Sequence, residues 1–192
     1  MFADFSLSAE QQAVLQAHLE MLLRWNQKLN LTSIRNRDEA IERHYCESLF
    51  LGLHLPSGPL RIADLGSGAG FPGFPVAVLR PDCQVTLIES HQRKAVFLRE
   101  SSRKQENIRV LAKRAEDVRE RFDRVISRAV SYRDMAPYLK DLASAADLLT
   151  GAEEPPAEFG FAWQPALPLP WGNQRFLRSG TDVSRETFDD RK

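Results

Sequence analysis

Residues 62 to 73, IADLGSGAGFPG, constrain the fold of this chain more than any other stretch. An apolar run ends in Asp64 and passes into a loop with glycines at 66, 68, 70 and 73. Glycine alone permits so tight a turn with the backbone pressed against a ligand. Pro72 follows, where a helix can begin with an imino nitrogen at no cost in hydrogen bonds. A strand that turns into a helix through such a loop belongs to a sheet of parallel strands, and ligands sit at the C-terminal ends of those strands. Four glycines in so short a connection therefore point to a bound molecule.

The rest of the chain repeats this rhythm. Short apolar runs at 60–65, 84–89, 108–112 and 122–127, with a fifth near Asp147 to Thr150, predict strands. Between them, helices are expected at Phe74–Leu79, Lys94–Arg103, Ala115–Arg121 and Tyr132–Ala146. The first 58 residues read as a helical extension. Ser8 and Gln11 form a capping-box pattern before Val14, Leu15, Leu19, Leu22 and Leu23, which predicts a helix from Ser8 to Lys28. A second helix, capped by Asn36 or Asp38, is stopped by PSGP at 56–59. The Pro-rich and Trp-rich stretch 155–180 suggests an irregular final hairpin. The expected division is thus a helical extension at 1–58, an α/β core at 59–180 and a fraying tail at 181–192.

Composition removes several alternatives. A chain of 192 residues fits one domain with an extension, and 43% hydrophobic with 27% charged residues is ordinary for a globular protein. No apolar run approaches the roughly 20 residues needed to span a bilayer, and MFADFSLSAEQQ has no basic start followed by an apolar stretch, so a cytoplasmic location is expected. Cys46 and Cys83 are too few for a disulfide framework or a thiolate zinc site; both are read as reduced packing residues, and no metal is expected. The formal net charge is zero, yet residues 91–133 hold 13 Lys and Arg against 6 Asp and Glu. An excess of +7 there attracts phosphate if it gathers on one face.

The chemistry-bearing residues cluster at strand ends. Glu89 closes the second strand about 20 residues beyond the loop, where an acid accepts hydrogen bonds from ribose hydroxyls. An adenosine-containing cofactor is implied, although Gly68, Gly70 and Gly73 also satisfy the GxGxxG spacing of nicotinamide dinucleotides. Asp64 just before the first glycine repels a pyrophosphate and suits a cationic amino group, which favours S-adenosylmethionine. Arg114, Ala115 and Glu116 follow the third strand, within reach of an adenine edge. Ser127 to Val130 place Arg128 at the end of the fourth strand, over the same crevice.

Six ordered segments resemble the RsmG (GidB) family of 16S ribosomal RNA guanine-N7 methyltransferases: WNQKLNLTSI at 25–34, ERHYCESL at 42–49, DLGSGAGFPG at 64–73, TLIESHQRKAVFL at 86–98, KRAEDV at 113–118 and SRAV at 127–130. The resemblance covers roughly residues 20 to 135. It implies a Rossmann-like class I S-adenosyl-L-methionine-dependent methyltransferase with a mostly parallel, doubly wound sheet. It also implies Gly66, Phe71, Ala115, Glu116 and Arg128 at the cofactor, with Asp64, Gly68, Gly70 and Glu89 beside them. Asn30, His44, Arg114 and Arg175 are expected on the RNA side, and Arg24, Lys28, Arg35 and Arg43 at phosphates.

The chain departs from the family in having Glu47 where HxxDSL is usual, and Thr150 and Gly151 where a Lys-Gly follows the fifth strand. Its C-terminal part lacks the pattern of a last crossover helix. Guanine N7 carries a lone pair and no proton, so methyl transfer to it needs no general base, and none is assigned. The partner implied is 16S rRNA or the small ribosomal subunit, and a monomer is expected. Two rivals stand beside this reading: a non-catalytic cofactor-binding RNA or ribosome module, and a nicotinamide-dependent oxidoreductase, for which no His or Tyr-Lys hydride-handling pair is evident.

Overall fold

A computed structural model describes residues 5–156 and 159–183. Five parallel strands, β1 (Arg61–Leu65), β2 (Gln84–Ile88), β3 (Ile108–Leu111), β4 (Arg124–Arg128) and β5 (Ala145–Thr150), lie in the order β3-β2-β1-β4-β5. Beyond β5 the sheet continues with β8 (Phe176–Asp182), antiparallel to β5, to β6 (Phe161–Trp163) and to β7 (Leu167–Pro168). The fold is thus α/β, and the strand order reverses between β1 and β4, which opens a crevice at their C-terminal ends.

Alternate side chains sort onto the two faces of the sheet. Ile62, Leu87, Ile126 and Leu149 pack with Leu22, Leu51, Phe74 and Phe97. These come from α1 (Ala9–Leu29), α3 (Glu47–His54), α4 (Gly73–Leu79) and α5 (Gln92–Ser101). Ala63, Ile88, Val125 and Leu148 pack on the other face with Tyr132, Met135 and Leu139 of α6 (Tyr132–Leu142). Burial on both faces is why these strands read as continuous apolar runs. Asp64 is two residues from Ile62 and so projects to the same side, beneath α4.

The N-terminal helices share this first core. Ser8 Oγ accepts from Gln11 N–H and Gln11 Oε1 accepts from Ser8 N–H, closing the capping box, and Asn30 ends α1 in the left-handed region at φ 48°. The second helix is not uniform: α2 (Arg37–Ala40), capped by the Asn36 side chain, passes through a π-helical segment at Ile41–Cys46 into α3. Such segments recur at functional sites. Cys46 and Cys83 are free thiols, and Trp25 packs edge-on against Phe97 with ring centroids 5.6 Å apart.

Three expectations are corrected. Residues 115–121 form only a single 3-10 turn at Ala115–Asp117. The chain then extends so that Val118 and Phe122 are buried, and Phe122 N–H bonds to Leu142 O. The helix expected over 132–146 stops at Leu142, because Ala145 and Ala146 pair with Thr181 and Gly180 of β8, and a sheet position overrides the helix preference of alanine. Thr181 and Asp182, assigned to the tail, belong to β8, where Asp182 N–H bonds to Ser144 O. Residues 184–192 of that tail lie outside the described residues. No helix among the described residues is long and apolar enough to cross a membrane.

Candidate active site

Two cavities, of about 570 and 460 Å³, open at the C-terminal ends of the parallel strands, and both are lined by Gly66 and Val130. Gly66, at the start of the glycine loop, stands between them. Gly66 stands at φ +72°, and a Cβ on it would come within 2.6 Å of Val130 Cγ2. Gly68, at φ +57°, has nothing within 4 Å of where a Cβ would lie except Gly66 O at 3.9 Å, so a ligand can approach the backbone there.

The larger cavity gathers Gly66, Gly68, Phe71, His44, Arg128 and Arg175 from the expected residues. The smaller gathers Gly66, Glu89, Arg114, Ala115 and Glu116. Arg114, expected on the RNA side, therefore lies with the adenosine candidates. Asp64, Gly70 and Asn30 line neither cavity. Gly70, at φ +95°, packs behind the loop toward His18 and Phe74, and exposed Asn30 serves as the C-cap of α1. Asp64 is held beneath α4. It is fully buried, and its Oδ2 accepts from Gly73 N–H at 2.9 Å, at the first residue of α4. Burial raises its pKa to about 7 against the opposing Gly73 hydrogen bond.

Glu89 is 7% exposed; its Oε2 accepts from Gly68 N–H at 2.9 Å and its Oε1 from His91 N–H at 2.7 Å. These two bonds fix the carboxylate at the mouth of the smaller cavity while leaving each oxygen a further lone pair. Glu116 accepts from the Tyr138 hydroxyl at 3.0 Å across the same opening. Acids and bases are balanced there: Lys113, Arg114 and Arg133 face Glu89, Glu116 and Asp134.

The larger cavity has a different character. Arg43, Lys94, Arg128 and Arg175 line it against one acid, Glu153. Arg128 Nη1 donates to His44 Nδ1 at 2.6 Å, so the His44 proton sits on Nε2, facing Thr32 Oγ1 at 2.9 Å. Burial, reinforced by the Arg128 charge, lowers the His44 pKa to about 3. The neutral ring lies parallel to Phe71, 4.5 Å away between centroids. Arg128 Nε and Arg175 Nη2 both donate to Glu47 Oε2, at 3.0 and 2.7 Å. Glu47, Thr32, Lys94 and Val130 are not among the expected site residues. The unusual acid in HYCESL is the signal for Glu47; Thr32, Lys94 and Val130 lie inside the family-like segments at 25–34, 86–98 and 127–130, but no spacing marks them individually.

The loop hydrogen bonds discriminate between cofactors. A dinucleotide pyrophosphate is held by loop amides and by the N-terminus of the following helix. Here the amides of Gly66 and Ser67 donate to Ile88 O, that of Gly68 to Glu89, and that of Gly73 to Asp64. The protein's own carboxylates thus occupy the anion positions, which fits an adenosine cofactor without phosphates.

The family model described as GidB, rRNA small subunit methyltransferase G, matches residues 11–149. The chain belongs to this family. Among GidB relatives, the ribosomal RNA small subunit methyltransferase G of Xanthomonas axonopodis pv. citri is 44% identical over 129 residues, which cover 65% of this chain and 60% of the relative. The chain thus spans less than two thirds of that relative's length. Among solved structures, a SAM-dependent methyltransferase from Aquifex aeolicus matches at TM-score 0.58 and 15% identity, covering 76% of this chain and 93% of that one. Aeropyrum pernix fibrillarin with natively bound S-adenosyl-L-methionine matches at TM-score 0.57 and 17% identity, covering 71% and 73%. These likenesses establish the class I methyltransferase fold for this GidB chain.

Proposed function

We propose that this chain transfers a methyl group from S-adenosyl-L-methionine to N7 of a guanine in 16S rRNA, acting as a cytoplasmic monomer on the small ribosomal subunit. The observation that carries the reading is the pair of cavities meeting at Gly66 and Val130, one balanced in charge with Glu89 fixed in its wall and one lined mainly by cations. GidB family membership and the names of the relatives support the same assignment. Glu89 would hold the ribose, Ala115 and Glu116 the adenine edge, and Arg128 the carboxylate end of the cofactor. The cofactor supplies an electrophilic methyl group on a sulfonium.

The protein's part is positioning. N7 has an in-plane lone pair, so no side chain need remove a proton. His44 suits this role, since both of its ring nitrogens are engaged, with Arg128 and Thr32. Catalysis then rests on holding the base in line with the methyl group in a preorganised polar setting. The +7 segment at 91–133 contributes Lys94 and Arg128 to the larger cavity, where cations outnumber acids and attract RNA phosphates, while its Lys113, Arg114 and Arg133 at the smaller cavity are balanced by acids. N7 in an A-form duplex lies in a groove too narrow for a protein, so the target guanine is in a loop or is drawn from its stack.

Two measurements test this. Calorimetry is expected to show binding of S-adenosylhomocysteine and none of NAD; the reverse overturns the cofactor assignment. Labelled S-adenosylmethionine is expected to methylate N7 of a guanine in small subunits purified from cells lacking the chain. Tight cofactor binding without incorporation would establish a non-catalytic module instead.

A further inference from the structure

The final hairpin reaches the site through one buried acid. Glu47 is 1% exposed and lines neither cavity, yet its Oε2 takes the guanidinium of Arg128 from β4 and that of Arg175 from the β7–β8 connection. Phe50, three residues along the same face of α3, meets Trp171 of that connection edge-on, with ring centroids 5.9 Å apart. Glu47 and Phe50 together therefore dock residues 171–175 against the N-terminal helices.

The arrangement leaves donors at the cavity wall. Among the described residues, Arg128 commits Nε to Glu47 and Nη1 to His44, and Arg175 commits only Nη2 to Glu47. Arg128 Nη2 and Arg175 Nη1 take part in no other hydrogen bond there, while both residues line the larger cavity. Arg175 Nε is buried without an acceptor, so Glu47 is what holds this guanidinium in place. Two like charges this close require the intervening carboxylate. The trio carries a net +1, so it can take the cofactor's carboxylate on Arg128 while Arg175 keeps a donor for a neutral acceptor.

We propose that Glu47 is a positioning residue that holds Arg128 toward the carboxylate end of the cofactor and sets Arg175 as a donor for O6 of the target guanine, leaving the N7 lone pair beside it free for the methyl group. The inference rests on the methyl-transfer reading. Glu47 acts through the two arginines and, by way of Arg128, fixes the tautomer and plane of His44. Removing its charge lets the guanidiniums separate, and the base is then held off line.

The test uses the full chain, small ribosomal subunits and labelled S-adenosylmethionine, with Glu47→Gln, Arg175→Ala and the double variant. Melting curves first confirm that each is folded. Glu47→Gln is expected to lower kcat by about 30-fold or more at saturating cofactor and RNA, the scale of a small misplacement of reacting atoms. Arg175→Ala is expected to lower kcat while leaving S-adenosylhomocysteine affinity within about threefold, and adding it to Glu47→Gln is expected to cost little more, since the two act as a unit. Glu47→Asp, which keeps the charge but shortens the reach, is expected to recover part of the rate. Unchanged kcat per folded molecule in Glu47→Gln, or fully multiplicative losses in the double variant, overturns the proposal. Should Glu47→Gln not fold, undiminished kcat in Arg175→Ala overturns it alone. An inactive wild type that binds S-adenosylhomocysteine instead sinks the methyl-transfer reading itself.

Discussion

His18 offers a sharp test of how α1 is seated on the glycine loop. Its ring is 2% exposed and lies 4.0 Å from Phe74 in a stacked pair, with Phe71, Phe97 and Tyr45 edge-on around it. Nδ1 meets the Tyr45 hydroxyl at 2.6 Å, Nε2 has no partner among the described residues, and burial lowers the pKa from 6.5 to about 3. Below pH 6.5 the unfolded chain takes up a proton that the folded ring refuses. The stability contributed by the neutral ring is therefore complete above the unfolded pKa and is lost as the pH falls toward about 3. Each pH unit in that window costs about 1.4 kcal/mol, so the drop from about pH 7.5 to about pH 5 removes about 2 kcal/mol through this one group.

His44, also lowered to about 3, adds to the loss, whereas Asp64, raised to about 7, gains stability over the same range. The whole-protein curve thus mixes opposing contributions, and a variant is needed to isolate His18. His18→Phe keeps an aromatic ring in the cage and removes the titration. It also leaves the Tyr45 hydroxyl without its partner, a loss independent of pH because burial raises the Tyr45 pKa far above the window. Urea unfolding followed by tryptophan fluorescence, at a series of pH values, is expected to show the wild-type advantage shrinking by about 2 kcal/mol toward about pH 5. Parallel wild-type and variant curves would refute the burial of a neutral His18 under the loop.

Three further outcomes follow from the site. Glu89→Ala removes the carboxylate that receives Gly68 and His91 N–H, and calorimetry is expected to show S-adenosylhomocysteine affinity weaker by about 1.5 to 3 kcal/mol; unchanged affinity removes Glu89 from the cofactor site. Gly73→Ala forces a Cβ against Leu87 Cδ2 and to 2.6 Å from Asp64 Oδ2, so chemical unfolding is expected to show a loss of about 3 kcal/mol, and a wild-type midpoint contradicts the close packing of α4 on β1. Arg114→Ala is expected to lower RNA affinity and flatten its salt dependence by a slope of about 1; an unaltered slope leaves Arg114 to the adenosine cavity it lines.

Local chemistry carried much of the architecture into the sequence. Ser8 with Gln11 and Asn36 before its helix act through neighbours in the chain, and the apolar strands and the positive-φ glycines at 66 and 68 show themselves in residue type, so their roles were legible without coordinates. The strand-end positions of Glu89, Glu116 and Arg128 followed from the same rhythm. Three residues show the limit of that reading. The place of Asp64 before the glycines is plain in the sequence, but its turn under α4 by alternation along β1, with Gly73 N–H on its Oδ2, is decided by packing. Ala145 and Ala146 favour a helix in isolation, yet β8 claims them for the sheet. Glu47 became part of the site only when chain segments 81 and 128 residues away brought Arg128 and Arg175 to it. Sequence determined what each segment can do alone; which side chains share a buried charge is decided by long-range packing, because the free energy of that contact exists only after the sheet and its helices have closed around it.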